Sequence, residues 1–223
     1  MSGDDLALRE QAVAAVRRLD ALGLNRGSSG NLSLRGSTGG FWITPTGLSP
    51  EEFDATDMVL LGDDGHTRQG AWAPSTEWPF HRAIYTVRSD LHAVVHLHSP
   101  HATALACLRR ELPAFHYMVA VAGGDCVPCT PYHLFGTEAL SQAVGAAFVD
   151  RQACLMANHG LVAGGTTLAH ALRVALEVEA LCGIYLQALA VGEPALLSGE
   201  QMAEVMARFK SYGKARRAPP EAR

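Results

Sequence analysis

The residues of this chain best placed to do chemistry are His96 and His98, separated only by Leu97. They follow Val94-Val95, and that β-branched pair predicts a strand over Ala93–His98. On a strand, positions i and i+2 face the same way, so both imidazoles project from one face. Two neutral imidazoles side by side suit a divalent transition metal, with zinc first by ligand type. The best third ligand is His159, which ends the strand-like Cys154–Asn158 just before Gly160. Sheet-based sites usually open at strand ends. His92 shares the parity of the pair but precedes the strand, and His101 lies beyond Pro100. Both are expected in solvated or supporting roles.

A second group of residues suits an anion. Pro79 lacks a backbone donor, so its helix must begin within about four residues before it. That predicts a helix from near Ser75 to about Arg88, with Ser75, Thr76 and Glu77 at its amino end. Hydroxyls and free N–H groups there can bind a phosphate. Gly27-Ser28-Ser29-Gly30-Asn31 adds backbone amides and hydroxyls without a P-loop lysine, and Thr46-Gly47 is a further small turn. Taken alone, each is a weak signal. Beside a metal pair they suggest a small phosphorylated substrate. Glu77 reads either as a carboxylate favoured by a first helical turn or as a general base beside a carbonyl on a Lewis acid.

The elements that must position these groups alternate between helix and strand. Helical spacing covers residues 4–22, with Gly23 as the stop. Strands are expected at Leu32–Arg35, Phe41–Thr44, Met58–Leu61 and Ala153–Ala157. Later helices are expected at Gly136–Val149, Leu168–Ala190 and about 199–212. With no Ser/Pro-rich linker, this predicts one α/β domain over 1–213, a central sheet covered by helices in three αβα layers. Residues 214–223 are expected to be a mobile basic tail.

Composition narrows the class. The 223 residues carry a formal net charge of −4, are 48% hydrophobic and 18% charged, and include ten histidines. No strongly basic surface is available for nucleic acid. The longest stretch without Asp, Glu, Lys or Arg runs from Gln152 to Leu172 and holds Asn158, His159 and three glycines. It is unsuited to lipid, so no membrane partner is expected. Asp4, Asp5, Arg9 and Glu10 disfavour a secretory signal, so a cytoplasmic location is expected. Cys107, Cys154 and Cys182 lie in apolar segments and are expected to act as small hydrophobes. Cys126 and Cys129 form a C-x-x-C pair without the second pair of a zinc site, and read as coincidence.

Several motifs in order resemble the class II aldolase/adducin family, across nearly the whole chain. They include Gly23-Leu24-Asn25 with Gly30-Asn31, Ile43-Thr44-Pro45-Thr46-Gly47, Ser75-Thr76-Glu77-Trp78 with Phe80-His81, and Val94-Val95-His96 with His98. His116-Tyr117-Met118, Phe135-Gly136-Thr137, His159-Gly160-Leu161, Glu177-Val178-Glu179 and Phe209-Lys210 with Tyr212-Gly213 continue the pattern.

The resemblance implies one zinc per subunit on His96, His98 and His159, with Glu77 as acid/base and as a ligand of the resting metal. It implies Asn31, Thr46, Gly47, Ser75 and Thr76 on the phosphate of a small sugar substrate. Tyr117 would donate a proton on the aldehyde side of a neighbouring subunit's site in a homotetramer, and Tyr212 would help close the site. The implied reaction is cleavage of a ketose 1-phosphate to dihydroxyacetone phosphate and a short aldehyde. Sugar-phosphate 4-epimerases of the same pattern carry Asp where this chain has Glu77, which favours the aldolase branch. A decarboxylase, a dehydratase and a non-catalytic adducin-like module are the other readings; the intact histidines and Glu77 argue against the module. Ser28-Ser29, Leu97 and Pro79 depart from the aldolase pattern. Leu97 should face away from the ligands.

Overall fold

The computed structural model describes residues 3–209. Tyr212, the Lys210 and Gly213 positions and the expected tail at 214–223 lie outside the described residues. The eight strands are β1 Asn31–Arg35, β2 Phe41–Ile43, β3 Val59–Leu61, β4 Thr67–Gln69, β5 Ala93–Leu97, β6 Cys129–Thr130, β7 Ala153–Met156 and β8 Gly160–Gly165. They form one sheet in the order β4-β3-β2-β1-β5-β8-β7-β6. All neighbours are antiparallel except β6 and β7, which are parallel. The helices are α1 Gly3–Ala21, α2 Trp78–Val87, α3 Pro100–Cys107, α4 Glu138–Ala147, α5 Leu168–Val191 and α6 Gly199–Phe209.

Strand parity builds the three layers. Leu32, Leu34, Val95 and Leu97 point into one core, shared with Ala12 of α1, Leu105 of α3 and Val174 of α5. Ile43, Val94, Met156 and Val162 point into the other, shared with Phe80 and Ile84 of α2 and Val144 of α4. A sheet buried on both faces must be apolar on both, so β5 carries no polar side chain except His96. His96 has the parity of Val94 and lies toward α2; Leu97 lies in the opposite core, as expected. Helix α5 is long and apolar enough to cross a membrane by composition alone. One of its faces is buried, with Ala171, Val174 and Val178 in the core, a condition that core helices also meet.

Several elements were not expected from the sequence. Strand β8 is rich in glycine and alanine, and pairing with both β5 and β7 imposes its extended form. Helix α3 is short and starts on a proline right after the metal-pair strand. A 3-10 turn at Tyr117–Ala122, the exposed edge strand β4 and the two-residue β6 are too short or too polar to show periodicity. Helix α2 starts at Trp78, so Ser75, Thr76 and Glu77 form the turn before it rather than its first turn. Cys154 and Cys182 are buried, but Cys107 is exposed because α3 ends there at the surface.

Candidate metal centre and cleft

Three imidazoles converge. The ligating nitrogens of His96, His98 and His159 all lie within 4.8 Å of one another. His96 is held in its tautomer by its Nδ1, 3.0 Å from the Leu161 carbonyl on β8. A carbonyl only accepts, so Nδ1 carries a hydrogen, which leaves Nε2 as the ring nitrogen that a metal would take. The Nε2 atoms of His96 and His98 stand 3.0 Å apart, so both rings turn the same nitrogen toward one point. His98 follows β5, and its backbone N–H donates to Asn25 Oδ1 at 2.9 Å. His159 sits in the tight turn between β7 and β8, next to Asn158, whose φ is +56°.

Two glycines make this convergence possible. A Cβ on Gly160 would strike the Leu97 carbonyl and sit 3.3 Å from His98 and 3.4 Å from His96. Gly30, at φ +76°, leaves its side-chain space to the buried Asn25 amide that holds His98.

Glu77 closes the constellation. Its position caps α2, yet its side chain makes no capping bond. Instead Oε1 lies 3.1 Å from His159 Nε2 and Oε2 lies 3.3 Å from His96 Nε2. Burial pushes the carboxyl up, but the facing His96 and His159 rings reverse this and hold it well below the usual carboxylate range. Burial first, then His96 and His159, push His98 down to about 4, so it is neutral at physiological pH. Three imidazoles and a carboxylate around one point form a donor set that fits a divalent metal such as zinc. Among the described residues this is the group of metal-ligating side chains that the structure brings together.

A cleft of about 440 Å³ opens over these residues. Glu77, His98 and His159 line it, and so do Ser28, Ser29, Gly30, Asn31, Pro45, Thr46, Gly47, Ser75 and Thr76. The proposed phosphate set therefore shares one cleft with the metal set. Among the described residues no Lys or Arg lines it, so an anion would rely on hydroxyls, amides and the metal. Tyr132, His133 and Asn158 line the same cleft without a signal in the sequence, because their loops carry no periodicity, and Phe135 lines it from the Phe135-Gly136-Thr137 motif. Tyr117 is not among the lining residues; it is half exposed and stacks on His116 at 4.8 Å.

Behind Glu77 lies a buried polar line. Asn31 Nδ2 donates to Glu77 Oε2 at 2.8 Å, and Asn31 Oδ1 lies 2.6 Å from His81 Nε2. His81 Nδ1 is 2.7 Å from Ser33 Oγ, which is 2.9 Å from the Tyr85 hydroxyl. Burial, with His96 adding, pushes His81 down to about 3, so the ring is neutral. Glu77, His81 and Tyr85 are spaced i, i+4, i+8, a helical signal that was present in the sequence. Of the other histidines, His92 is exposed and lies near the Asp90 carbonyl, while His101 pairs with Glu179 on α5 at 2.9 Å. Neither reaches the metal set.

Comparison with known proteins agrees on the family. The model for the class II aldolase and adducin N-terminal domain matches residues 10–186. The chain is 45% identical over 213 residues to a 5-methylthioribulose-1-phosphate/5-deoxyribulose-1-phosphate aldolase of Rhodospirillum rubrum, covering 96% of each chain. It is 44% identical over 207 residues to the L-fuculose phosphate aldolase of Escherichia coli K12, covering 92% of this chain and 95% of that one. A solved L-fuculose 1-phosphate aldolase superimposes with a TM-score of 0.89 at 36% identity, covering 94% of this chain and 98% of the other.

Proposed function

The chain belongs to the class II aldolase and adducin family, as an aldolase, and from that premise we propose that it reversibly cleaves a ketose 1-phosphate to dihydroxyacetone phosphate and a short aldehyde. The observation that carries this reading is the Glu77 carboxylate spanning His159 at 3.1 Å and His96 at 3.3 Å on the floor of the cleft. His96, His98 and His159 would hold one zinc, with Glu77 as a fourth ligand in the resting enzyme. When bound, the metal supplies a Lewis acid for the substrate's carbonyl and hydroxyl oxygens.

The chain's own residues do the rest. Ser75, Thr76, Thr46, Gly47 and Asn31 hold the phosphate end and so fix which carbon faces Glu77. In cleavage, the C3–C4 electron pair stays with C3 as C4 becomes the aldehyde carbon. The C4 hydroxyl loses its proton to Tyr117 of a neighbouring subunit or to water. Glu77, ionised at rest, first takes the proton of the substrate's C3 hydroxyl and then delivers it to C3. The proton shed by the C4 hydroxyl returns through solvent to the C3 oxygen, completing dihydroxyacetone phosphate. Tyr117 lies away from its own chain's cleft, which supports a homotetramer with sites at subunit interfaces; Tyr212 would help close them. A cytoplasmic location remains part of the proposal.

The relatives name two aldehyde classes. L-fuculose 1-phosphate, giving L-lactaldehyde, is the first reading. The Rhodospirillum rubrum relative supports 5-deoxyribulose and 5-methylthioribulose 1-phosphates as the second. An aldol-cleavage screen over ketose 1-phosphates, coupled to detection of dihydroxyacetone phosphate, tests both. Release from at least one is expected. Carbon dioxide release, dehydration or C4 inversion in its place would overturn the proposal.

A further inference from the structure

The buried line behind Glu77 has only one consistent arrangement of hydrogens. The Glu77 carboxylate only accepts, so Asn31 Nδ2 donates to it at 2.8 Å. That turns Asn31 Oδ1 toward His81, 2.6 Å from Nε2, and a carbonyl oxygen also only accepts. His81 must therefore carry its hydrogen on Nε2. A neutral ring protonated there has a bare Nδ1, so Ser33 Oγ donates to it across 2.7 Å. Ser33 has a single hydrogen, so its oxygen accepts from the Tyr85 hydroxyl at 2.9 Å. His81 and Ser33 are completely buried, and Asn31 and Tyr85 nearly so. The His81, Ser33 and Tyr85 end of the line lies away from the cleft, so a bond broken there leaves an orphaned buried group.

From this directional line we infer that His81 is a positioning residue. Through its Nε2–H it locks the Asn31 amide with the NH2 group toward Glu77, and so fixes the carboxylate oxygen that Asn31 grips. An Asn31 amide turned the other way would set its carbonyl oxygen against the Glu77 carboxylate. The lock also decides what Asn31 shows the substrate. Its second Nδ2 hydrogen remains free on a residue that lines the cleft, so an anion meets a donor there and never a carbonyl. The inference rests on Glu77 as the proton-transfer group. It adds why that group keeps one orientation when the metal or substrate draws on its other oxygen.

The alternative is that His81 merely fills space, since its ring stacks on Phe80 at 4.7 Å. Two variants separate the readings. His81→Phe keeps a stacked ring and removes the donor; His81→Gln carries a side-chain N–H where Nε2 stood. The phenylalanine variant is expected to lose kcat by about 100-fold, the scale of a displaced catalytic group, with a smaller change in KM. The glutamine variant is expected to recover most of that loss. Nitrogen-15 spectra of the full-length protein as purified should show His81 protonated at Nε2 and bare at Nδ1, with no reference to activity. A hydrogen on Nδ1, wild-type kcat in the phenylalanine variant, or equal losses in both folded variants would overturn the inference. Should the phenylalanine variant fail to fold, the ring-nitrogen spectra decide. If the wild-type protein cleaves no ketose phosphate, the proposed function fails while the spectra still test the lock.

Discussion

The histidine pair on β5 and the cysteine pair at Cys126 and Cys129 look alike in sequence, two potential ligands at short spacing, and the fold treats them oppositely. Burial acts on both. It pushes His98 down to about 4, toward the neutral ring, and neutral imidazole is the form that binds a metal. It pushes the thiols of Cys126 and Cys129 up, toward the neutral thiol, and only the thiolate is a good ligand or nucleophile. The histidines meet a third imidazole and a carboxylate, whereas both cysteines remain free and join no metal-ligating group among the described residues. A spacing motif thus becomes a site when burial favours its reactive form and a distant element completes it.

The largest test of that contrast is to remove the pair itself. His96→Ala with His98→Ala should abolish detectable cleavage and release the metal, from about one equivalent per chain to none by elemental analysis. Full occupancy in that double variant would contradict the site. Next, Glu77→Gln should retain the metal and fold but lose cleavage by about 100- to 10,000-fold in kcat, the range for a general acid or base. Smaller still, Gly160→Ala should crowd His96 and His98 and push the Leu97 carbonyl. A cost of about 1–3 kcal/mol in denaturant unfolding is expected, along with weaker metal retention on dialysis. At the far end, Cys126→Ser with Cys129→Ser should leave metal content and kcat unchanged and shift stability by about 1 kcal/mol or less. A loss of metal there would erase the contrast.

How much of this was legible follows from range. The facing of His96 and His98 is a local property of strand parity and could be read directly, as could the opposite burial of Leu97. Pro79 placed the start of α2 to within the residues before it, but the final turn geometry put Glu77 outside the helix. Its side chain then serves the imidazoles rather than a cap. The approach of His159 was not legible from spacing, because it depends on β8 pairing beside β5, and three glycines and an alanine among the six residues of β8 weaken its strand signal. Asn31 read as an anion-binding loop residue. In the fold it stands opposite His96 in the β1–β5 register, and His81 and Glu77 occupy its two ends. His81 carried its signal in the i, i+4, i+8 run with Glu77 and Tyr85. That run acquires meaning only once Ser33 and Asn31 are seen across the sheet face.

The central claim is that Glu77 moves the proton at the carbon next to the carbonyl while the three histidines hold the metal. Solvent-hydrogen exchange into dihydroxyacetone phosphate, with no aldehyde present, isolates that step. The wild-type protein should incorporate solvent deuterium at C3, and Glu77→Gln should hold its full metal complement yet show exchange at least about 100-fold slower. Unchanged exchange in the metal-loaded Glu77→Gln protein would contradict the claim.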